Sequence, residues 1–272
     1  MIITDKLHTI ESLHREFKRA GVQAGMTVLV HSSMKQIGGW VAGGAESVLH
    51  ALLGVLGDEG TLMLPTHTAN NTDPIRWENP PIPQPWWQTV REQRPPYDPV
   101  TSVTYNMGIL PETFRSWHGV KRSPHPIVSF AAKGRYASDL TAIHELESMF
   151  GDQSPLGALY ALDGYVLLLG VGYNRCTSLH LAEYRASYPK TTFIEGTAML
   201  VDGQRQWVTF EMLDLDSDDF ELIGTAYESY HPNAVQISTV GNAPTHLLRV
   251  RPLVDFAQRW MSDNRSRAAS PS

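Results

Sequence analysis

The chain contains one cysteine, Cys176, among its 272 residues. No internal disulfide framework can form, and a reducing, cytoplasmic setting is expected. No segment approaches the roughly 18 consecutive apolar residues of a membrane-spanning helix. The opening stretch, MIITDKLHTIESLHREF, has no basic start followed by an apolar run, so neither a signal peptide nor a membrane partner is expected. An excess of positive charge is also missing. The net charge of −6 argues against nucleic acid as a partner and suits a neutral or cationic ligand. HExxH and CxxC are absent, so no metal site is expected. There is no internal repeat and no break in composition, which predicts a single domain over residues 1–261.

What is present alternates between strand and helix. Ile10, Leu13, His14 and Phe17 fall at helical spacing within His8–Ala20, with Gly21 as a stop. Met26–His31 reads as a short apolar strand, Ser32–Gly44 as a Gly/Ser-rich loop, Ala45–Leu56 as a helix and Thr61–Pro65 as a strand. This order predicts an α/β core. Eight of the eighteen prolines lie between Pro74 and Pro99. Proline removes backbone donors, so residues 66–99 read as an irregular excursion. With Trp77, Trp86 and Trp87 inside it, the excursion packs over the core as a pocket wall, a lid or a structural cover. Further on, helices are expected at Met107–Ser116, Tyr136–His144, Leu179–Ala186 and Leu253–Met261. Strands are expected at Ile127–Ala132, Tyr165–Gly172, Phe193–Val201 and Gln206–Glu211, the last two joined by the hairpin signal Asp202-Gly203. Residues 262–272 read as a disordered tail.

The most informative stretch follows the strand Tyr165–Gly172. In Thr177-Ser178-Leu179-His180-Leu181-Ala182-Glu183, a helix starting near Ser178 sets His180 and Glu183 on one face. A carboxylate-held histidine beyond a strand end is suited to general-base work. Two ligands at this spacing are too few for a metal. A surface pair is the plainer alternative, and activation of water for hydrolysis is a rival chemistry. The loop His31-Ser32-Ser33-Met34-Lys35 either offers amides, hydroxyls and a cation to a phosphate, without matching a Walker loop or a GxGxxG fingerprint, or is a plain turn. Lys121-Arg122-Ser123-Pro124-His125-Pro126 either binds a phosphorylated ligand or forms a solvated basic turn. Six carboxylates lie between Glu211 and Glu221. They fail the calcium-loop pattern and read as a solvated face or as an acidic wall for a polycation.

In combination these motifs resemble the aminoglycoside 3-N-acetyltransferase (antibiotic N-acetyltransferase) family from about Gly21 to Met261. The resemblance rests on LVHSSMKQIGG with GGAESV, LPTHT, WENPP, NMGILPETFR, KRSPHP, QSPLG, VLLLGVGYNRCTSLHLAE and DLDSDDFE. It implies a layered α/β domain with a mixed sheet flanked by helices, distinct from the GNAT fold. It also implies acetyl transfer from acetyl-coenzyme A to the 3-amine of a deoxystreptamine ring, hence antibiotic resistance, by a monomer or homodimer. In this reading His180 is the base, Glu183 orients it and Thr177 assists the oxyanion. His31, Ser32, Ser33, Lys35, Arg122, Ser123 and His125 serve coenzyme A, with His125 either catalytic or only lining the cleft. Asp73, Glu183, Glu211 and Asp214 receive the antibiotic's ammonium groups. Arg175-Cys176 stands where the family has a more polar turn. A metabolic amine as acceptor, or a non-catalytic aminoglycoside-binding role, are the remaining alternatives.

Overall fold

The computed structural model describes residues 5–268. Its strands, in chain order, are β1 (Leu7–His8), β2 (Thr27–Ser32), β3 (Trp40–Val41), β4 (Thr61–Pro65), β5 (Lys121–Arg122), β6 (Phe130–Gly134), β7 (Tyr165–Leu169), β8 (Thr192–Val201), β9 (Gln204–Leu213), β10 (Val235–Val240) and β11 (Ala243–Arg249). Seven of them form one mixed sheet in the order β10-β11-β7-β2-β4-β6-β5. The centre, β7-β2-β4, is parallel, and the pairings outside it are antiparallel.

Alternation along the central strands fixes the two layers, because successive side chains point to opposite faces. Val28 and Val30, Leu62 and Leu64, and Leu167 and Leu169 pack with Leu13, Phe17, Leu49 and Leu52 on one face. The helices Ile10–Arg19 and Gly44–Leu56 cover that side. Leu29, Met63, Val166 and Leu168 point the other way, into a core shared with Leu179, Ile223 and Leu253. The helices Ser178–Arg185, Phe220–Tyr230 and Val250–Ala268 cover it. Each fully buried Leu or Phe adds about 1.5–3 kcal/mol of apolar burial. By the same alternation His31 shares the face of Leu29, which brings it under the helix that carries His180.

The first helix begins in a capping box. The Thr9 hydroxyl accepts from the Ser12 amide at 3.2 Å, and the Ser12 hydroxyl accepts from the Thr9 amide at 2.9 Å. This satisfies two backbone donors that the helix cannot. The β8–β9 hairpin turns at Asp202 and Gly203, both at positive φ (50° and 74°), as a two-residue primed turn requires.

Several boundaries differ from expectation for identifiable reasons. The helix expected from Met107 starts at Ile109, because Gly108 has φ 82° and ψ 176°. The strand expected from Ile127 starts at Phe130, since the Ile127 and Val128 amides donate to His125 Nδ1 instead of to a neighbouring strand. The helix expected over Tyr136–His144 is confined to Ala137–Thr141. The expected tail from residue 262 is corrected: the last helix runs on to Ala268, and 269–272 lie outside the described residues. The excursion at 66–99 is clamped rather than loose. The Tyr97 amide donates to the Ala198 carbonyl at 2.9 Å, the Asp73 amide to Glu195 at 2.7 Å, and the Thr197 hydroxyl to the Asn71 carbonyl at 2.7 Å.

Candidate active site

The parallel strands β2, β4 and β7 end at the same edge, and the chain leaves β2 in one lateral direction and returns through β7 from the other. Ligands in open α/β sheets bind at such a point. A cleft of about 570 Å³ opens there, reached by His31 and Ser32 at the end of β2, His67 after β4, and Thr177 and His180 after β7.

The turn after β7 is built for close approach. Gly170 sits at φ +67°, and a Cβ there would lie 2.5 Å from Gln36 Cβ, so only glycine fits. The next helix starts at Ser178, which puts His180 in its first turn. The His180 ring stacks on Phe150 (centroids 5.0 Å apart, planes at 13°) and leans on Phe220 at 4.7 Å. Its Nδ1 lies 2.7 Å from Glu183 Oε2. An ionised carboxylate only accepts, so Nδ1 carries the proton and the Nε2 lone pair is left for the cleft. Among the described residues Nε2 has no hydrogen-bond partner.

Glu183 is 1% exposed. Burial pushes its carboxyl up, but the His180 bond and charge, the Asp216 amide and Arg265 together hold it below its usual range. Oε1 accepts from Arg265 Nη1 at 2.6 Å, from the Asp216 amide at 2.8 Å and from the Tyr188 hydroxyl at 3.2 Å. Opposite His180, the Thr177 hydroxyl lies 3.2 Å from His31 Nε2. Burial, reinforced by His180, pushes the His31 imidazole down to about 3. Burial together with the surrounding histidines and Arg122 does the same for His67, again to about 3. Both rings are therefore neutral near pH 7, and His67 Nε2 is buried without a partner. Cys176 is fully buried and its thiol is pushed up to about 12, which removes it as a nucleophile. Among the described residues, no three His, Cys, Asp or Glu side chains stand where they could hold a metal ion.

A smaller cleft of about 310 Å³ adjoins the first and shares Ser32, Asn106 and Met107 with it. Ser33 and Lys35 line it. The remaining expected contacts lie elsewhere. Lys121–Arg122 is an edge strand paired to β6, not a solvated turn. The Arg122 guanidinium donates to the carbonyls of Thr66 (2.6 Å) and Ser102 (2.5 Å) and to the Ser129 hydroxyl (2.9 Å). The Ser123 hydroxyl is buried between His144 Nδ1 and the Phe130 amide, at 2.9 Å from each. His125 accepts two amides at Nδ1 and lies 3.2 Å from the Leu146 carbonyl at Nε2. These three side chains are committed to the scaffold and line neither cleft.

Asp73 caps a short helix and forms a two-point pair with Arg91 at 2.8 and 2.9 Å, so its charge is already answered. Glu211 is exposed on β9 and accepts from the Thr192 hydroxyl. Asp214 lines a third depression, behind the His180–Glu183 pair, together with Asp216, Asp219 and Arg265. His67, Asn106, Phe150, Phe220 and Arg265 belong to the site although sequence reasoning gave them no role. His31 lies at the end of one parallel strand and His67 just beyond the end of its neighbour, and that was the available signal for His67.

The family model for aminoglycoside 3-N-acetyltransferase matches residues 29–262. The aminoglycoside N(3')-acetyltransferase-like protein YokD of Bacillus subtilis is 41% identical over 95% of this chain and 94% of its own length. Aminoglycoside N(3)-acetyltransferase VII of Streptomyces paromomycinus is 38% identical over 95% of this chain and 93% of its own. The crystal structure of YokD superposes with a TM-score of 0.94 at 40% identity, covering 97% of each chain. A structure of AAC-IIIb in a binary complex with CoASH superposes at 0.85 with 28% identity, over 98% of this chain and 100% of that one. AAC-VIa bound to sisomicin superposes at 0.84 with 27% identity, over 95% and 98%. The chain therefore belongs to the aminoglycoside 3-N-acetyltransferase family and is an acetyltransferase of its mixed-sheet fold.

Proposed function

We propose that this enzyme transfers the acetyl group of acetyl-coenzyme A directly to the 3-amino group of a deoxystreptamine ring in a ternary complex, giving resistance to aminoglycosides. The observation that carries the proposal is the His180–Glu183 pair, with Nδ1 fixed at 2.7 Å in a ring that lines the cleft. The amine must reach the carbonyl carbon with a free lone pair. As the N–C bond forms, His180 Nε2 takes the amine proton. The C–S bond then breaks, and the coenzyme leaves as a thiolate that regains a proton from the imidazolium or from water. In this reading the Thr177 hydroxyl, 3.2 Å from neutral His31, is the donor to the developing oxyanion. Ser32, Ser33 and Lys35 hold the coenzyme along the smaller cleft, in keeping with the CoASH complex of the AAC-IIIb relative. The sisomicin complex of AAC-VIa supports an aminoglycoside as acceptor.

One observation favours a second acceptor class. Among the described residues lining the main cleft none is Asp or Glu, while Arg175 is present. Such a lining suits an amine with fewer charges than a typical antibiotic. The test is thiol release from acetyl-coenzyme A across a panel of aminoglycosides and simple amines, followed by locating the acetylated nitrogen. Thiol release that ignores the amine would overturn transfer in favour of hydrolysis. Acetylation of only the simple amines would move the substrate to the second class.

A further inference from the structure

The carboxylate that orients His180 is gripped from behind by the last described turns of the chain. We infer that Arg265 is a positioning residue for acetyl transfer, acting through Glu183 to keep His180 in its basic tautomer. This rests on the reading of His180 as the base. Arg265 Nη1 donates to Glu183 Oε1 at 2.6 Å and to the Tyr188 oxygen at 2.8 Å. Its Nε and Nη2 fork onto Asp219 at 2.9 and 2.6 Å, and Nη2 also reaches the Asp216 carbonyl at 2.7 Å. The guanidinium is thus held by the loop before the helix Phe220–Tyr230, and its remaining nitrogen is shared between Glu183 and Tyr188. The family match ends at residue 262, so this support is carried by a part of the chain beyond the matched segment.

The chemistry follows from what a protonated Glu183 would do. A neutral carboxylic acid beside His180 can donate to Nδ1. The ring would then carry its proton on Nε2 and offer the amine no lone pair. Burial favours that neutral acid, and the side chain is 1% exposed. The groups facing it are His180, Tyr188, Arg265, the more distant Lys190 and Tyr184, and the Asp216 amide. Of these, Arg265 is the cation in direct contact. Asp219 holds Arg265 in place, and the geometry gives Asp219 the same role one step removed.

The experiment compares Arg265→Gln, Arg265→Lys and Asp219→Asn in the full chain, with coenzyme A binding and thermal unfolding as checks of integrity. Arg265→Gln is expected to lower kcat by about tenfold to a hundredfold, in the range for loss of an outer supporting contact. The KM for acetyl-coenzyme A is expected to stay unchanged. The acid limb of the kcat profile is expected to move to higher pH, because Glu183 then ionises later. Arg265→Lys should recover most of the activity, and Asp219→Asn should show a smaller loss with the same pH shift. A loss that is equal at every pH would make Arg265 merely structural and overturn the inference, as would a folded Arg265→Gln enzyme with unaltered kcat. If Arg265→Gln does not fold, the Asp219→Asn profile decides in the same way. Turnover that survives His180→Ala would instead bring down the underlying reading of the base.

Discussion

Two histidine-bearing segments of this molecule, Thr177–Glu183 and Arg122–His125, look alike in sequence and do opposite work. Each sets a histidine near hydroxyls and charges beside the sheet. At His180 one ring nitrogen is fixed by a carboxylate, the other is unbonded among the described residues, and the ring lines a cleft. At His125 one nitrogen takes two backbone amides and the other lies against a carbonyl, with Ser123 and Arg122 equally spent. The difference lies in the backbone around them. Thr177–Glu183 is helical and largely satisfies its own backbone groups, which frees its side chains. Pro124 and Pro126 lack amide donors and break the strand ladder, and nearby side chains replace the missing backbone partners. A polar motif interrupted by proline is therefore weak grounds for a ligand site.

The largest break in this comparison should come from His180→Ala. General-base removal costs about 10²–10⁴ in kcat, and coenzyme A binding should survive, since the proposed coenzyme contacts lie at Ser32–Lys35 rather than at His180. Turnover within a few-fold of the parent enzyme would end the general-base assignment. Glu183→Gln should follow with a loss of about 10²-fold in kcat, because the amide can present its N–H₂ to Nδ1 and select the wrong tautomer. Its steady-state kcat, measured beside that of His180→Ala, tests the ranking.

On the other side of the comparison, Arg122→Ala should damage the fold and spare the kinetics. It leaves the carbonyls of Thr66 and Ser102 without their guanidinium donors, at a cost of about 3 kcal/mol in unfolding free energy. Denaturant titration reads that loss. A raised KM for acetyl-coenzyme A with unchanged stability would return Arg122 to the coenzyme site.

The buried histidines predict a milder effect. In the folded chain His31 and His67 are pushed down to about 3 and His125 to about 4, in each case first by burial. In the unfolded chain they titrate near 6.5. Between these values the unfolded state binds more protons, so stability falls as the pH drops below about 6.5. From pH 7.5 to 6 each histidine should remove roughly 0.5–1 kcal/mol. A thermal midpoint that is flat over this range would show that these rings are not held neutral.

Much of this arrangement was legible before the structure. Strand Thr61–Pro65 and the Asp202-Gly203 turn could be read directly, because a run of apolar residues or an Asp-Gly pair is local information. The sequence also pointed to His180 with Glu183. What escaped was non-local. The residues from 262 onward include no large apolar side chain, yet Leu253, Ala257 and Met261 are fully buried at helical spacing, and one further turn reaches Arg265. The acidic run after Glu211 reads as a solvated face or an acidic wall, and neither reading shows that Phe220, Ile223 and Tyr227 are buried within and beyond it at helical spacing. Asp73 looked free because its partner, Arg91, stands eighteen residues away across prolines.

The smallest effect is expected at Lys35, and it separates the two kinds of site most cleanly. Lys35 is exposed on the wall of the smaller cleft, next to Ser33. An exposed ammonium facing a phosphate contributes on the order of 1 kcal/mol and is screened by salt. Lys35→Ala should therefore raise the KM for acetyl-coenzyme A about three- to tenfold at low ionic strength, and less at high salt. The KM for the amine and the thermal midpoint should not move. Arg122→Ala should show the reverse pattern, with a lowered midpoint and an unchanged coenzyme KM that salt does not alter. If Lys35→Ala leaves the coenzyme KM unchanged at low salt, the smaller cleft is not where the coenzyme's phosphates lie.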